Sequence, residues 1–321
     1  MNREPPKQQI TRVAQKALAA YDLPPVTPTF IGDSENVTFR VDVPQSPRRY
    51  LLRLHKPHHN TEETVWSEAA WLSALRAETD IVAPLPILNW GGQAVTPLPA
   101  PETPLCTLME WVEGRFFSDQ HAPSRAFRAG ETLARLHRHG ETWERPPGWT
   151  RPRHNAQRLQ KHLETYRQAA VAGLLSRNDW GVVEAAAERV YAVMGEVGEA
   201  PSDFGLIHGD FHNRNYLFHK GQVRPIDFSF CGDGFYLADL SYALCSLWHR
   251  SVFLNGYESF RPLPQEHRPL IETFMVSGIL GETAFHLRNA RERGQPFEHP
   301  TWLVTSLRDK FLRGKRFLTD W

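Results

Sequence analysis

The sequence has few cysteines and no long apolar segment, and both absences exclude classes of protein. Its 321 residues include only Cys106, Cys231 and Cys245, without a C-x-x-C spacing. A disulfide framework and a thiolate zinc site are therefore not expected, and a reducing compartment fits. No apolar run approaches the ~20 residues that span a bilayer. The first residues, MNREPPKQQ, carry charges where a signal peptide has an apolar core, so we expect a cytoplasmic protein with no membrane partner.

The sequence also lacks a strong charge of either sign. Its 37 Lys and Arg residues nearly balance 36 Asp and Glu residues, giving a net charge of +1. A protein that coats nucleic acid or an acidic membrane surface carries a large basic excess, so no nucleic-acid partner is expected. The 321 residues exceed what a single core usually holds, and this favours two lobes.

Hydrophobic periodicity predicts strands in the first part of the chain and helices in the second. Alternating apolar residues predict a hairpin over 37–43 and 50–55 and a further strand in LCTLMEWV, and helical spacing predicts one main helix at 62–78. Other helices are predicted at 8–20, 124–139, 154–175, 179–197, 236–250, 265–291 and 300–318. The predicted fold class is α+β, with a small β-rich lobe over 1–113 and a larger, mostly helical lobe over 114–321.

One polar segment, HGDFHNRN at 208–215, carries a dense set of functional side chains. Its two histidines, four residues apart, would share one face of a helix and could bind a metal there. Gly209 and the N-R-N run disfavour a helix, and no further histidine or cysteine stands at a zinc-like spacing. A second alternative is that the aspartate and asparagines are ordinary turn residues.

The spacing of Asp210 and Asn215 matches a phosphotransfer loop. With His208 two positions earlier, D-x-x-x-x-N corresponds to the kinase pattern H-R-D-x-x-x-x-N, and Gly209 replaces the arginine. In such a loop the carboxylate accepts the proton of the attacking hydroxyl, and the amide oxygen binds Mg²⁺. Asp227 follows an apolar run and can supply a second hard oxygen ligand, which suits Mg²⁺ better than zinc.

The stretch HGDFHNRNYLF…VRPIDFSFCGDGFYLADLSYAL resembles the aminoglycoside phosphotransferase family, also called the choline-kinase-like phosphotransferase enzyme family. Its signature is H-G-D-x-H-x-x-N, then I-D-F and a later D-L, all present here. The resemblance implies a two-lobed, protein kinase-like fold with a nucleotide-binding N-lobe. It implies Asp210 as the catalytic base, Asn215 and Asp227 as Mg²⁺ ligands, His208 as a brace for the loop, and Asp239 as a structural acid beneath it.

The resemblance extends more weakly over the N-terminal lobe. LLRLH puts Arg53 at the position of the phosphate-contacting cation, which is lysine in many kinases, and WSEAAWL puts Glu68 at its acidic partner. LMEWVEGR resembles the hinge, where backbone groups near Glu110 and Val112 would contact adenine. From the residues alone, Arg53 could instead be a solvated strand residue and Glu68 part of an exposed helix face.

The segment Asp227-Phe228-Ser229 lacks the last glycine of the protein-kinase D-F-G sequence. Glycine permits the backbone rearrangements by which that segment switches. Only about a dozen residues separate Asp227 from Asp239, too few for a phosphorylated activation loop. We therefore expect a site that is assembled constitutively.

The resemblance implies a kinase that uses ATP, with Mg²⁺ as cofactor, to phosphorylate a hydroxyl-bearing small molecule. Three alternatives remain: a protein serine/threonine kinase, a non-catalytic nucleotide-binding pseudokinase, and a zinc hydrolase using His208 and His212. The acceptor pocket is expected after Gly114 and in the helices after Asp239. Tyr236, Trp248, His249 and Tyr257 could line it, but these four residues could equally belong to the core.

Overall fold

The structure, a computed structural model, describes residues 7–57, 60–292 and 301–316. The chain divides into two compact units that are not contiguous in sequence. The first draws its described residues from Met1–Arg115, Trp143–Arg151 and Leu217–Ser229, and the second from Phe116–Thr142, Pro152–Tyr216 and Phe230–Trp321. The predicted division into functional lobes at residues 113 and 114 stays a prediction.

The first unit is built on an antiparallel sheet that has six strands in the described residues, in the order β1-β2-β3-β6-β4, with β5 beside β6. They are β1 Thr29–Asp33, β2 Asn36–Asp42, β3 Arg49–His55, β4 Pro86–Ile87, β5 Thr96–Pro97 and β6 Leu105–Glu110. Alternation buries Phe39, Leu52 and Leu108 completely, in one core with helix α1 (Lys7–Leu18). The predicted hairpin is confirmed, with Thr38 of β2 opposite Arg53 of β3.

Helix α2 (Glu62–Glu78) has the bounds that its periodicity predicted. A capping box begins it: the Thr61 hydroxyl accepts from Thr64 N, and Thr61 N donates to the Thr64 hydroxyl. The separate segment Trp143–Arg151 is tied to the helix at Ser67. Trp149 Nε1 donates to Ser67 O over 3.2 Å, and Thr150 N donates to Ser67 Oγ over 2.8 Å.

Helices dominate the second unit. They are α3 Pro123–Thr142, α4 Ala156–Val171, α5 Arg177–Val197, α6 Tyr236–Cys245, α7 Arg250–Glu258, α8 Ile271–Glu292 and α9 Thr301–Asp309, with 3-10 helices at Gln265–Leu270 and Phe311–Arg313. Its strands are β7 Arg153–His154, β8 Phe204–Ile207 and β11 Gly232–Phe235, whereas β9 Tyr216–His219 (apart from Tyr216) and β10 Gln222–Pro225 belong to the first unit. A small sheet has the order β7-β11-β8, and β9 pairs with β10. The predicted α+β class, β-rich first and helical later, is confirmed.

Three predicted helices are wrong in extent. The helix at 236–250 is interrupted between Cys245 and Arg250. The helix at 265–291 begins as a 3-10 helix containing Pro269, which has no N–H for an α-helical ladder. The helix at 300–318 ends at Asp309, and residues 300, 317 and 318 lie outside the described residues.

The predicted absence of disulfides is confirmed, since all three cysteines are free. Among the residues that the structure describes, none of the helices has the length and apolar character of a membrane span.

Candidate active site

The segment His208–Asn215 forms a loop between β8 and β9, and a single buried carboxylate accepts hydrogen bonds from the backbone at its start. Asp239, in the first turn of α6, accepts from His208 N through Oδ2 and from Gly209 N through Oδ1, both over 2.7 Å. Burial alone would raise the pKa of Asp239. The net effect is a lowered pKa, because several groups stabilise the carboxylate. They are the hydrogen bond from His137, the positive electrostatic contributions of His137 and His208, and the hydrogen bond from the His208 backbone. Asp239 therefore holds the backbone at the start of the loop, and its role as a structural acid of the site stays a prediction.

His137 of α3 is a further partner of Asp239 that the sequence did not suggest. Its Nε2 lies 3.0 Å from Asp239 Oδ2, and its Nδ1 lies 2.9 Å from the Tyr257 hydroxyl. Burial lowers the pKa of His137, and the opposing effect of Asp239 offsets this only in part. The lowered pKa favours a neutral ring. Nε2–H then donates to the carboxylate and Nδ1 accepts from Tyr257. His137 lies on the same buried face of α3 as Gly130 and Leu133. This helical spacing is the signal by which the sequence could have identified His137 as a buried polar residue.

Asp210 is fixed at its backbone, while its carboxylate keeps partial access to solvent. Asp210 N donates to His208 Nδ1 over 3.3 Å, and the role of His208 as a brace for the loop stays a prediction. Asn215 Nδ2 donates to Asp210 O over 2.9 Å and to Asp210 Oδ2 over 2.7 Å. The Asp210 side chain is 25% exposed, and Nε2 of His212 lies 3.5 Å from its Oδ1. Asp210 and Asn215, the predicted base and the predicted amide ligand, are thus in direct contact.

Gly209 stands where protein kinases have arginine because the backbone allows little else there. Its φ is +82°, in the left-handed region, and a Cβ would lie 2.3 Å from Phe230 O. Phe211, completely buried, stacks on Tyr216 with ring centroids 4.9 Å apart. Phe230 O thus packs closely against the loop at Gly209, and the stacked rings of Phe211 and Tyr216 fix its other end.

Arg53 and Glu68, in the first unit, form a buried ion pair between β3 and α2. Arg53 NH1 donates to Glu68 Oε1 over 2.6 Å, and the side chains are 6% and 3% exposed. Burial alone would lower the pKa of Arg53, but the charges of Glu68 and Asp227 outweigh it and raise this pKa. The alternatives, a solvated strand residue and an exposed helix face, do not describe these side chains.

The D-F-S segment is joined to the same cluster within the first unit. Ser229 Oγ donates to Asp227 Oδ1 over 2.6 Å and accepts from Arg53 NH2 over 2.6 Å. Arg151 NH2 donates to the carbonyls of Phe228 and Ser229, over 3.2 and 2.5 Å. Three predicted residues, Arg53, Glu68 and Asp227, are therefore brought together. Ser229 and Arg151 were missed, since a serine in a turn and a distant arginine give no pattern in the sequence.

The predicted hinge follows directly from β6. Glu110 N donates to Leu85 O over 2.8 Å, so of the two backbone groups of Glu110 only the carbonyl oxygen could contact a base. Val112 is buried, with 9% of its surface exposed. The chain then pairs with β9, where Arg115 N donates to Phe218 O and Phe218 N donates to Arg115 O. The adenine contacts of Glu110 and Val112 stay predictions.

A zinc site at His208 and His212 finds no support in the residues present. Among the described residues, no group of three or more His, Cys, Asp or Glu side chains could hold a metal ion. The Nδ1 atom of His208 is occupied by Asp210 N, and His212 Nδ1 accepts from Arg214 N over 3.1 Å.

An exposed indole follows a turn that is hydrogen-bonded to the loop His208–Asn215 in the second unit. Asn213 N and Nδ2 donate to Ser246 Oγ and O, over 3.2 and 3.1 Å. Asp119 then accepts from Trp248 N and from His249 N, the latter over 2.8 Å, and this interrupts the predicted helix 236–250. Trp248 is 65% exposed. Its contact with an acceptor stays a prediction, as does that of His249.

Two of the other candidate acceptor residues belong to the core. The rings of Tyr236 and Tyr257 pack against His137, with centroids 4.6 and 5.6 Å away, and both are buried. Loss of solvation around the thiol, followed by the negative charges of Glu282 and Asp210, raises the pKa of Cys245 to about 11. Cys245 is therefore a neutral thiol at physiological pH.

Comparison with known sequences gives one family and one named relative. The model of the phosphotransferase enzyme family matches residues 27–270, more than half of the chain. The homoserine kinase of Neisseria meningitidis serogroup B is 28% identical over 178 residues, which are 51% of this chain and 54% of that protein. The chain thus spans about half the length of this curated relative.

Solved structures of similar fold cover nearly the whole chain. An amicoumacin kinase in complex with AMP-PNP, Ca²⁺ and its ligand has a TM-score of 0.76 at 20% identity, covering 95% of this chain and 93% of that one. A microcompartment-associated aminopropanol kinase has a TM-score of 0.69 at 22% identity, covering 94% of each chain. At these identities the likeness concerns the fold, and it confirms the predicted protein kinase-like class.

Proposed function

Because the chain belongs to the phosphotransferase enzyme family, we propose that it transfers the γ-phosphoryl group of ATP to a hydroxyl group of a small molecule. The observation that carries this proposal is the contact between Asp210 and Asn215 in a loop held by Asp239. The names of the similar proteins support a small acceptor, since they are kinases of homoserine, aminopropanol and amicoumacin.

Asp210 is the proposed catalytic base. Its carboxylate is partly exposed and can reach an acceptor hydroxyl, while Asn215 Nδ2 holds Oδ2 in one orientation. A carboxylate in this role aligns the hydroxyl and takes its proton as the phosphoryl group moves. Base catalysis of this kind contributes roughly 10²–10⁴-fold, and positioning and charge neutralisation supply most of the remaining acceleration.

Arg53 is the proposed contact to the nucleotide phosphates. A guanidinium presents several N–H groups in a fixed plane, so it can hold Glu68 and Ser229 and still offer a donor to a phosphate oxygen. Glu68 fixes the guanidinium and is itself buried. We assign the adenine contacts to the backbone of the hinge, through the Glu110 carbonyl and the groups around Val112.

The donor atoms present suit Mg²⁺. Asn215 uses its amide nitrogen within the loop, which reserves the amide oxygen Oδ1 as a ligand. Asp227 is exposed, and its Oδ1 is oriented by Ser229. Amide and carboxylate oxygens are the hard ligands that Mg²⁺ prefers, and we assign Asn215 and Asp227 to this role. When bound, the ion would neutralise negative charge on the nucleotide phosphates.

Two alternative functions are distinguished by what they phosphorylate and by whether they consume ATP. A protein serine/threonine kinase would phosphorylate a protein substrate and ignore metabolites, and a pseudokinase would bind Mg·ATP without consuming it. Asp210, Asn215 and Asp227 are all present, although a protein that only binds nucleotide has no need of all three. The small-molecule kinase is therefore the proposed activity.

The test is ADP release with Mg·ATP and a panel of acceptors: amino alcohols, homoserine, aminoglycosides, sugars and a serine-rich protein. We expect turnover with a small hydroxyl compound. Asp210→Asn should lower kcat by about 10²–10⁴-fold and keep Mg·ATP affinity, because the amide can still accept from Asn215. Asp42→Asn, at an exposed strand residue, is the matched control. Full activity of Asp210→Asn, or nucleotide binding without turnover of any acceptor, would overturn the proposal.

A further inference from the structure

Ser229 occupies the position that glycine has in the protein-kinase D-F-G sequence, and its hydroxyl bridges two charged groups. It donates to Asp227 Oδ1 over 2.6 Å and accepts from Arg53 NH2 over 2.6 Å. One hydroxyl can do both, since it carries a single donor and two acceptor lone pairs. Both contacts are charge-assisted, and such hydrogen bonds are shorter and stronger than neutral ones. Arg53 is 176 residues away in sequence, so this is a tertiary contact and not a local turn.

The backbone on both sides of the hydroxyl is fixed as well. Asp227 has a φ of 59°, in the left-handed region that few residues other than glycine adopt. Ser229 N donates to Asp227 Oδ1 over 3.4 Å, and Arg151 holds the Ser229 carbonyl from the other side. Phe228, completely buried, packs edge-on against Trp71 of α2 with centroids 5.2 Å apart. The Asp227 carboxylate is thus held in one orientation while remaining exposed.

We propose that Ser229 is a positioning residue that couples the metal-binding carboxylate of Asp227 to the phosphate-binding guanidinium of Arg53. This inference rests on the proposed function and deepens it. A hydrogen bond to Oδ1 fixes the orientation in which the exposed carboxylate would meet a cation. The same hydroxyl fixes one arm of the guanidinium, so that occupation of one site favours the geometry of the other.

The coupling is measured as the effect of Mg²⁺ on ADP affinity, without any turnover. Calorimetric titration with ADP is done in excess EDTA and at a series of Mg²⁺ concentrations. For Ser229→Ala we expect the Mg²⁺ concentration that half-restores tight ADP binding to rise about 5- to 10-fold. ADP affinity in EDTA should change by less than about twofold, because Arg53 keeps Glu68. Ser229→Thr retains the hydroxyl and should behave like wild type. Ser73→Ala, which removes a hydroxyl bonded within α2, is the matched control.

Two outcomes overturn the inference. An unchanged Mg²⁺ titration in Ser229→Ala would show that the hydroxyl does not orient the metal ligand. An equal loss of affinity with and without Mg²⁺, or a variant too unstable to bind ADP in EDTA when Ser229→Thr is normal, would show a general structural role. A wild-type protein whose ADP affinity does not respond to Mg²⁺ would contradict the proposed function itself, which separates the two failures.

Discussion

His137 and Asp239 are joined by a hydrogen bond of 3.0 Å between Nε2 and Oδ2, and both side chains are completely buried. The histidine lies on α3, 102 residues before the aspartate, so the loop that carries Asp210 depends on a helix far away in sequence. The carboxylate has three donors and the imidazole has two partners. A buried network in which every group is satisfied is rigid, and each of its members is costly to remove.

Asp239→Asn should therefore destabilise the protein strongly. An amide has one acceptor oxygen for three donors, and its own N–H₂ group would face at least one of them. We expect the free energy of unfolding to fall by about 3–5 kcal/mol. His137→Phe should cost about 1–3 kcal/mol, because Asp239 keeps both backbone donors. Urea unfolding measures both. Asp309→Asn, at an exposed carboxylate, should leave stability unchanged. Equal small effects at all three positions would mean that the network does not hold the loop.

Gly209→Ala should disrupt the loop for steric reasons alone. The new methyl group would lie 2.3 Å from Phe230 O, on a backbone with φ of +82°. We expect a loss of stability of more than about 2 kcal/mol and a large fall in kcat. Gly181→Ala is the matched control, since that glycine lies within α5 and a Cβ there meets nothing within 4 Å. It should raise stability by roughly 0.5–1 kcal/mol, because alanine favours a helix. Similar unfolding midpoints for the two variants would contradict this reading.

Local pattern predicted the parts of the site that are contiguous in sequence. The spacing of His208, Asp210 and Asn215 put them in one short loop between two strands, and residues so close in sequence are brought together directly. Helix α2 was predicted at its observed bounds because its capping residues and apolar positions are local. Arg53 and Glu68 required the family resemblance, and their contact joins a strand to the helix that follows it.

The residues that were missed act across long separations. Ser229 meets Arg53, Asp119 meets Trp248, and His137 meets Asp239, each at more than a hundred residues' distance. No spacing rule connects such pairs, since only the tertiary fold sets their distance. Asp119 also explains the wrong helix 236–250: periodicity continued across Ser246–His249, but a distant carboxylate binds the backbone N–H groups there. His137 alone left a local sign, as a polar residue on a buried helical stripe.

The pH dependence of stability should carry a contribution from His162 on α4. Burial, followed by the charges of Arg158 and Arg288, lowers the pKa of His162 from 6.5 to about 4. The pKa of His162 is therefore lower in the folded chain than in the unfolded chain. The contribution of His162 to the free energy of unfolding is fully present above pH 6.5. It is lost as the pH falls from 6.5 towards about 4, because over this range only the unfolded chain takes up the proton.

His162→Gln should remove this dependence. Between about pH 7.5 and about pH 5, wild type should lose about 1–2 kcal/mol more unfolding free energy than the variant. Urea unfolding at the two pH values gives the difference. His286→Gln, at a side chain 59% exposed on α8, is the matched control and should follow wild type. Parallel pH profiles of wild type and His162→Gln would contradict the assignment.

Trp248 should bind the acceptor. Its indole is 65% exposed, yet its backbone is fixed by Asp119, and the preceding turn is bonded to Asn213 of the catalytic loop. An aromatic side chain whose backbone is fixed costs little entropy to cover with substrate. Trp248→Ala should raise KM for the acceptor about 10-fold and change KM for ATP by less than about twofold.

The contrast between the two substrates distinguishes a binding surface from a structural residue. A structural tryptophan would lower stability and affect both KM values, whereas a binding residue affects only that of the acceptor. Trp302→Ala, which removes an indole 57% exposed on α9, supplies the control for loss of surface area and should leave both values unchanged. Asp119→Asn should reproduce part of the Trp248→Ala effect, because a neutral amide oxygen accepts more weakly than the carboxylate oxygen Oδ2 that now holds both backbone N–H groups. Unchanged acceptor KM in both Trp248→Ala and Asp119→Asn would place the acceptor elsewhere on the second unit.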